Sequence, residues 1–320
     1  MIKIGIIGVG AVGSSYLYAC LNQNIEANYV LIDNFEPCAI AQAKDLNDAA
    51  CAMPSNGSYF RSGTYNDLSD AEILVITASV RPKNDKLADR LELLNDNAKL
   101  MKDIANKVVA AGFKGITVIA SNPVDIMASV YQQATQFDAS KVISSGTILE
   151  TARLKKFIAE KLNIKASAIS GYVIGEHGAR CIIPFSQIRL GMSSFLSMSN
   201  DLDENYQNSV CEKVKNEAFE IIAGKGITNF GIGESLCQIT SAIIGDKNAV
   251  FSLGVQLPSE YKHAGSYFGL PVILGKNGYS RLPKIMLSKV EQKMFDDYSK
   301  EIKETVLMLL KENEIKATIK

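Results

Sequence analysis

The sequence has no tryptophan, only two histidines, and no surplus of either charge: 34 Lys+Arg stand against 34 Asp+Glu in 320 residues. A polyanionic partner needs a cationic surplus or a dense cationic patch. Neither occurs, so nothing points to nucleic acid or to an anionic membrane surface as a partner. The six cysteines, Cys20, Cys38, Cys51, Cys181, Cys211 and Cys237, include no C-x-x-C pair. Zinc sites and dithiol redox motifs need close spacing on at least one side, so no metal is expected. The thiols read as free, in a reducing cytoplasm. Long hydrophobic runs are missing too. The uncharged stretch from Ile4 to Ile25 is the one candidate for an anchor or a secretory signal, but Gly5, Gly8, Gly10 and Gly13 interrupt it. Each glycine costs about 1 kcal/mol in a helix interior relative to alanine.

What the stretch does contain is a short apolar run from Ile2, a glycine-rich turn, a helical pattern over Val12 to Asn22, and a second apolar run, Tyr29 to Ile32, closed by Asp33. That order is β-turn-α-β at a length suited to a parallel crossover. Further short apolar runs follow at Ile73 to Thr77, Ile116 to Ala120 and Val142 to Ser145. Between them, Leu91, Leu94, Ala98, Met101 and Ala105 recur at helical spacing. Alternating strands and helices predict an α/β fold, a Rossmann doubly wound parallel sheet. Beyond about residue 150 the rhythm changes. Helical patterns at Asp203 to Ala223 and Lys289 to Lys311 flank an apolar, β-rich middle with Val250 to Val255 and Pro271 to Leu274. The expectation is two domains, a dinucleotide-binding domain at 1–147 and an α+β substrate domain at 148–320.

Gly8-Val9-Gly10-Ala11-Val12-Gly13 is a G-x-G-x-x-G at a strand-to-helix junction. The first glycine makes the tight turn, the second admits a pyrophosphate to the backbone, and the third packs helix against strand. Ala11 and Val12 open the helix whose N-H groups and dipole face the phosphates. Alone the hexapeptide is a weak signal. Asp33, 20 residues past Gly13, strengthens it, because a carboxylate there accepts hydrogen bonds from ribose hydroxyls and repels a 2′-phosphate. The cofactor expected is NAD. A second motif, Gly175-Glu176-His177-Gly178, follows an apolar run and holds one of the two histidines; His263 lies in a polar context and reads as surface.

The glycine loop with Asp33, the Ser121-Asn122-Pro123-Val124-Asp125 segment, the Glu150-Thr151-Ala152-Arg153 segment and the GEHG motif stand in one order and spacing. In these the chain resembles the lactate and malate dehydrogenase family over almost its whole length. SGYVIGEHG and KGITNFGI make it most similar to the NAD-dependent branch of L-lactate and L-2-hydroxyisocaproate dehydrogenases. The resemblance implies that His177 is the acid/base for the C2 hydroxyl and that Arg153 grips the substrate carboxylate through its planar fork. It implies that Arg90 closes over the site and polarises the C2 oxygen, that Asn122 bonds near that oxygen and the nicotinamide, and that Thr228 lines the pocket. It also implies a homodimer or homotetramer.

Four positions depart from the family pattern. The carboxylate facing the catalytic histidine is usually Asp, and Glu150 stands there. Six residues before Arg90, Asn84 occupies the position where malate enzymes carry a second arginine, which favours a 2-oxo monocarboxylic acid; a register change in that loop would bring Lys83 or Arg81 there and favour malate. Lys155 and Ser170 replace the Arg and His of bisphosphate-activated members, so little activation by fructose 1,6-bisphosphate is expected. A non-catalytic NAD-binding sensor is the alternative from another class. Retention of His177, Arg153, Arg90 and Asn122 together speaks against it.

Overall fold

The computed structural model describes residues 1–53, 56–80, 90–198 and 201–319, with 90–92 described by their backbone alone. The first half is built from β1 (Lys3–Ile7), α1 (Ala11–Asn22), β2 (Asn28–Ile32), α2 (Glu36–Cys51), β3 (Tyr59–Ser62), β4 (Ile73–Ile76), α3 (Arg90–Ala110), β5 (Ile116–Ile119), α4 (Val124–Thr135) and β6 (Val142–Ser144). Its six strands pair in parallel in the order β3-β2-β1-β4-β5-β6. The chain leaves β1 in one direction for β2 and β3, then returns to its other side for β4 to β6. Ligands of such sheets bind in the crevice beyond the carboxyl ends of the strands at that reversal. Every residue of β4 and β5 is buried, as strands covered by helices on both faces require.

The second half begins with α5 (Ile148–Leu162), followed by five two-residue strands: β7 (Ile169–Ser170), β8 (Ile174–Gly175), β9 (Cys181–Ile182), β10 (Arg189–Leu190) and β11 (Ser193–Ser194). Then come α6 (Glu204–Lys225), α7 (Phe230–Ile244), β12 (Ala249–Gln256), β13 (Tyr267–Gly275), β14 (Gly278–Arg281) and α8 (Lys289–Glu312). The middle is thus not only β-rich, because α7 lies within it. Gly231 and Gly233 lower the intrinsic helix preference of that segment. Packing overrides it: a Cβ on Gly233 would stand 2.8 Å from the backbone of Ser15 on α1.

The large sheet does not stop at β6. It continues antiparallel through β12, β13, β8 and β9, joined by the register pair Ser144 and Gly254. A Cβ at Gly254 would come within 2.0 Å of both Asp125 Oδ1 and Ser144 Oγ, so only glycine permits this approach. The main core is shared accordingly. Ile4, Ile6 and Val75 belong to the same buried cluster as Leu253, Phe268 and Val306. A second cluster, with Leu154, Ile158, Phe195, Val210 and Val214, lies under α5, α6 and the small sheet β11-β10-β7. Among the described residues no helix is long and apolar enough to cross a membrane.

Candidate active site

The crevice at the strand reversal is lined by Gly8, Gly10, Asp33, Thr77, Ala78 and Lys107, among others, and encloses about 290 Å³. Gly8 has φ +91°, and a Cβ on it would lie 2.6 Å from the Ala78 nitrogen; a Cβ on Gly13 would lie 2.2 Å from the Gly8 carbonyl oxygen. Gly10 faces open space, with nothing within 4 Å of the position of an added Cβ. Gly10 is also the N-cap of α1, with no side-chain cap and no acidic residue in the first turn. Its neighbours Ala11, Val12 and Gly13 therefore present helix N-H groups and positive dipole without a competing carboxylate. Asp33 accepts from Val9 N at 2.9 Å and from Phe35 N at 3.0 Å. Each carboxylate oxygen retains a lone pair for a sugar hydroxyl. A dinucleotide fits this loop: the backbone N-H groups suit a diphosphate, and the Asp33 carboxylate lines the same crevice with acceptor capacity for a ribose.

The second constellation is held by α5. Thr147, Glu150 and Thr151 share one face of its first turns. Thr147 Oγ1 donates to Val173 O at 2.6 Å, and Val173 N donates to Thr151 Oγ1 at 3.0 Å. These bonds clamp the chain just before β8, and His177 follows two residues after that strand. Its Nδ1 then lies 2.7 Å from Glu150 Oε1. The glutamate is buried, while the imidazole keeps about a quarter of its surface exposed (26%). Burial pulls the imidazole pKa down, yet the charge of Glu150, with Asp125 beyond it, overcomes this and leaves it raised. Burial pushes Glu150 up, but the facing His177 and the Arg153 guanidinium leave it below its ordinary value. The pair therefore favours imidazolium against carboxylate. The longer side chain of glutamate still brings an oxygen onto Nδ1, which leaves Nε2 for the reacting proton.

Asp125, on α4, was named in the sequence only as part of a segment, and its role was not legible there. It is fully buried, accepts from Ser144 Oγ at 2.6 Å and holds the His177 backbone N-H at 3.1 Å. Burial pushes its carboxyl up. A buried acid inside the apolar stretch Val124 to Val130 was the available signal. Glu176, next to His177, points elsewhere: Arg180 binds it at 3.0 Å and reaches Glu301 on α8 at 2.7 Å.

Arg153 lies one turn after Glu150 on α5 and is buried. It lines a cavity of about 450 Å³ together with Thr228, Leu149, Lys156, Glu217 and Lys225. Glu217, on α6, is a residue that sequence reasoning missed; its helix is rich in both charges and gives no signal. Asn122 is exposed at the end of β5, where Ser121 Oγ donates to Ala78 O at 2.6 Å and ties that end to the crevice. The structure thus brings together Glu150 with His177, and Arg153 with Thr228, on either side of one helix turn. Arg90 begins α3, but its side chain, like all of Asn84, lies outside the described residues. Among the described residues, no three His, Cys, Asp or Glu side chains could hold a metal ion.

A nucleotide crevice at the strand reversal and a buried glutamate facing a partly exposed histidine, beside a buried arginine, define a two-site α/β protein. Residues 2–144 match the lactate/malate dehydrogenase NAD binding domain, and residues 147–312 match the lactate/malate dehydrogenase alpha/beta C-terminal domain. The chain belongs to the lactate/malate dehydrogenase family. It is 41% identical over 302 residues to the L-lactate dehydrogenase of Mycoplasmoides gallisepticum, covering 92% of this chain and 94% of that one. To the L-lactate dehydrogenase of Mycoplasma capricolum subsp. capricolum it is 40% identical over 311 residues, covering 95% and 96%. Among solved structures, the ligand-bound minor L-lactate dehydrogenase of Enterococcus mundtii superposes with a TM-score of 0.90 at 35% identity, over 96% of this chain and 98% of that one. A lactate dehydrogenase from a Medee basin deep-sea metagenome library gives 0.91 at 32% identity, over the same shares.

Proposed function

We propose that the chain is an NAD-dependent L-2-hydroxyacid dehydrogenase that interconverts a 2-hydroxy monocarboxylic acid and its 2-oxo acid, either L-lactate and pyruvate or a larger aliphatic pair such as 2-hydroxyisocaproate and 2-oxoisocaproate. The observation that carries this reading is the 2.7 Å contact of Glu150 with His177 one helix turn from the buried Arg153. Gly8, Gly10, Ala11, Val12, Gly13 and Asp33 hold NAD, which when bound supplies or accepts the hydride at C2. Arg153 fixes the substrate carboxylate with two parallel hydrogen bonds. His177 takes the hydroxyl proton at Nε2 during oxidation and returns it during reduction, and Glu150 stabilises the charged imidazole between those events. Asn122 orients the C2 oxygen, Thr228 bounds the substrate side chain, Arg90 closes over the oxygen, and Asn84 offers no charge to a distal carboxylate.

Exposed Tyr18 and Phe230 line a groove of about 610 Å³ between α1, α2 and α7, which supports self-association as a homodimer or homotetramer. The six free thiols suit a cytoplasmic setting. The deciding experiment follows NADH absorbance with pyruvate, 2-oxobutyrate, 2-oxoisocaproate, phenylpyruvate and oxaloacetate. The highest kcat/KM on a monocarboxylic acid is expected. A higher value on oxaloacetate would replace this reading by malate dehydrogenase, and no turnover with any of the five would leave a sensor.

A further inference from the structure

The turn that carries His177 has little of its own to hold it in place. Gly175 at φ +98° and Gly178 at φ +115° bracket Glu176 and His177, and a Cβ on Gly178 would meet nothing within 4 Å. Glycines in such a turn leave the backbone free to take several paths. Glu150 steadies the imidazole at Nδ1, but a side-chain contact does not fix the peptide from which the ring springs. That peptide is held by Asp125, whose Oδ2 accepts from His177 N at 3.1 Å. The base of this tether is rigid, because α4 is buried at every residue from Val124 to Gln133. The other oxygen, Oδ1, accepts from Ser144 Oγ at 2.6 Å, and Ser144 Oγ in turn accepts from Gly146 N at 3.0 Å. Asp125 thus joins α4 and the end of β6 to the acid/base turn, which lies in the other half of the chain.

A carboxylate is an unfavourable choice for a tether alone. A carboxamide oxygen would accept the same peptide hydrogen bond without desolvating a charge. Burial pushes the Asp125 carboxyl up, whereas its two hydrogen bonds and the facing His177 favour the charged form. Among the described residues, the groups around the imidazole are Glu150 and Arg153 from α5, Asp125 from α4, and Glu176, which Arg180 pairs and ties to Glu301 on α8. Glu217 on α6 meets both Arg153 and Lys156, and Lys156 offsets its charge. Cys181 on β9, a thiol pushed up to about 12 by burial, stays neutral. Two carboxylates, one guanidinium and one imidazole are left, and they balance only while His177 carries its proton.

We propose that Asp125 is a positioning residue for the acid/base: its carboxylate pins the peptide of His177 to the nucleotide half of the chain and sets a second negative charge, besides that of Glu150, against the imidazolium needed for reduction. This deepens the 2-oxo-acid reading above and rests on it. A pinned peptide returns Nε2 to one place in every turnover, and a misplacement of about 1 Å costs on the order of 10²-fold in rate. The second charge holds the proton on His177 until the 2-oxo acid takes it.

The test exploits the scarcity of histidine. In a His263→Gln background, carbon-13 at histidine Cε1 leaves His177 as the one imidazole signal, and NMR follows its titration without any turnover. In Asp125→Asn the midpoint is expected to fall by about 0.5 to 1 pH from that of the parent, and the alkaline limb of kcat for reduction should move with it. Asp125→Ala removes the tether as well as the charge, so its kcat should fall by about tenfold or more at every pH. Asp125→Asn keeps an acceptor for the His177 peptide, so it should recover most of that loss at acid pH and none of the midpoint shift. A midpoint that does not move in Asp125→Asn, or a kcat that Asp125→Ala leaves intact, would overturn the inference. Should Asp125→Ala not fold, the near-isosteric Asp125→Asn decides alone through its midpoint. Absence of wild-type turnover with every 2-oxo acid defeats the activity reading, whereas the midpoint, measured without substrate, still decides whether Asp125 acts on His177.

Discussion

The cofactor crevice and the oxo-acid site solve recognition by opposite means. The crevice is made mostly of backbone: a helix terminus without a cap, a glycine with open space before it, and one acid at the end of the adjacent strand. The proposed oxo-acid site draws on side chains from α4, α5 and the segment after β8, whose contacts span up to 52 residues of sequence between Asp125 and His177. Backbone recognition depends on what is missing, because any Cβ fills the space. Side-chain recognition depends on which charges are left unpaired. A substitution in one region should therefore leave the other measurably intact.

The sharpest separation is expected from His177→Asn. Turnover should fall by about 10²- to 10⁴-fold, the usual worth of a positioned acid/base, while NADH affinity measured by fluorescence titration stays unchanged. A parallel loss of binding would merge the two regions and defeat the assignment. Next comes Glu150→Gln, expected to lower turnover on the order of 10²-fold with little effect on NADH binding. Because the Glu150 charge raises the His177 pKa and reduction requires imidazolium, the alkaline loss of reductive activity should move to lower pH in this variant.

The same pair sets a stability window. His177, raised in the folded state, contributes fully below its unfolded pKa of about 6.5 and loses that contribution as pH rises through the folded value. Glu150, lowered in the folded state, contributes above about 4.3 and loses that contribution as pH falls through the folded value. The urea-unfolding difference between wild type and Glu150→Gln should therefore be largest between about pH 4.3 and 6.5 and shrink on both sides. A difference independent of pH would refute the linkage.

The converse break is Gly13→Ala, whose Cβ would meet the Gly8 carbonyl oxygen at 2.2 Å. Overpacking of this kind costs about 1–3 kcal/mol, so NADH affinity should drop by roughly 5- to 150-fold. The turnover of the enzyme once saturated with NADH should fall much less. Equal losses in both would show that the loop also shapes the acid site. The smallest effect is expected from fructose 1,6-bisphosphate, since Lys155 lies over the Tyr172 ring and Ser170 is a short neutral side chain. A tenfold fall in the pyruvate KM on its addition, about 1.4 kcal/mol, would overturn that expectation.

The contrast also explains what could be read in advance. The glycine loop and Asp33 lie within one βαβ unit, so local pattern revealed them. His177, Arg153 and Glu150 were legible as residue types in a familiar order, but their contacts depend on how α5 is clamped to the strand before GEHG. Asp125 and Glu217 escaped because an acid announces nothing until burial removes its water. The helix α7 escaped for a related reason: its glycines argue against a helix locally, and only packing accounts for them, Gly233 against Ser15 of α1 and Gly231 against Leu149 of α5.

The packing of α7 on α1 has a consequence during synthesis. Tyr16 on α1 meets Thr240 on α7 at 2.9 Å across 224 residues of sequence. At ribosomal rates of about 5–20 residues per second, the buried face of the first helix waits roughly 10–45 s for its cover. Until then the nascent first half carries an apolar stripe that its own residues do not close. The amino-terminal half, although it contains every glycine and the acid of the nucleotide loop, is thus completed by a helix of the second half.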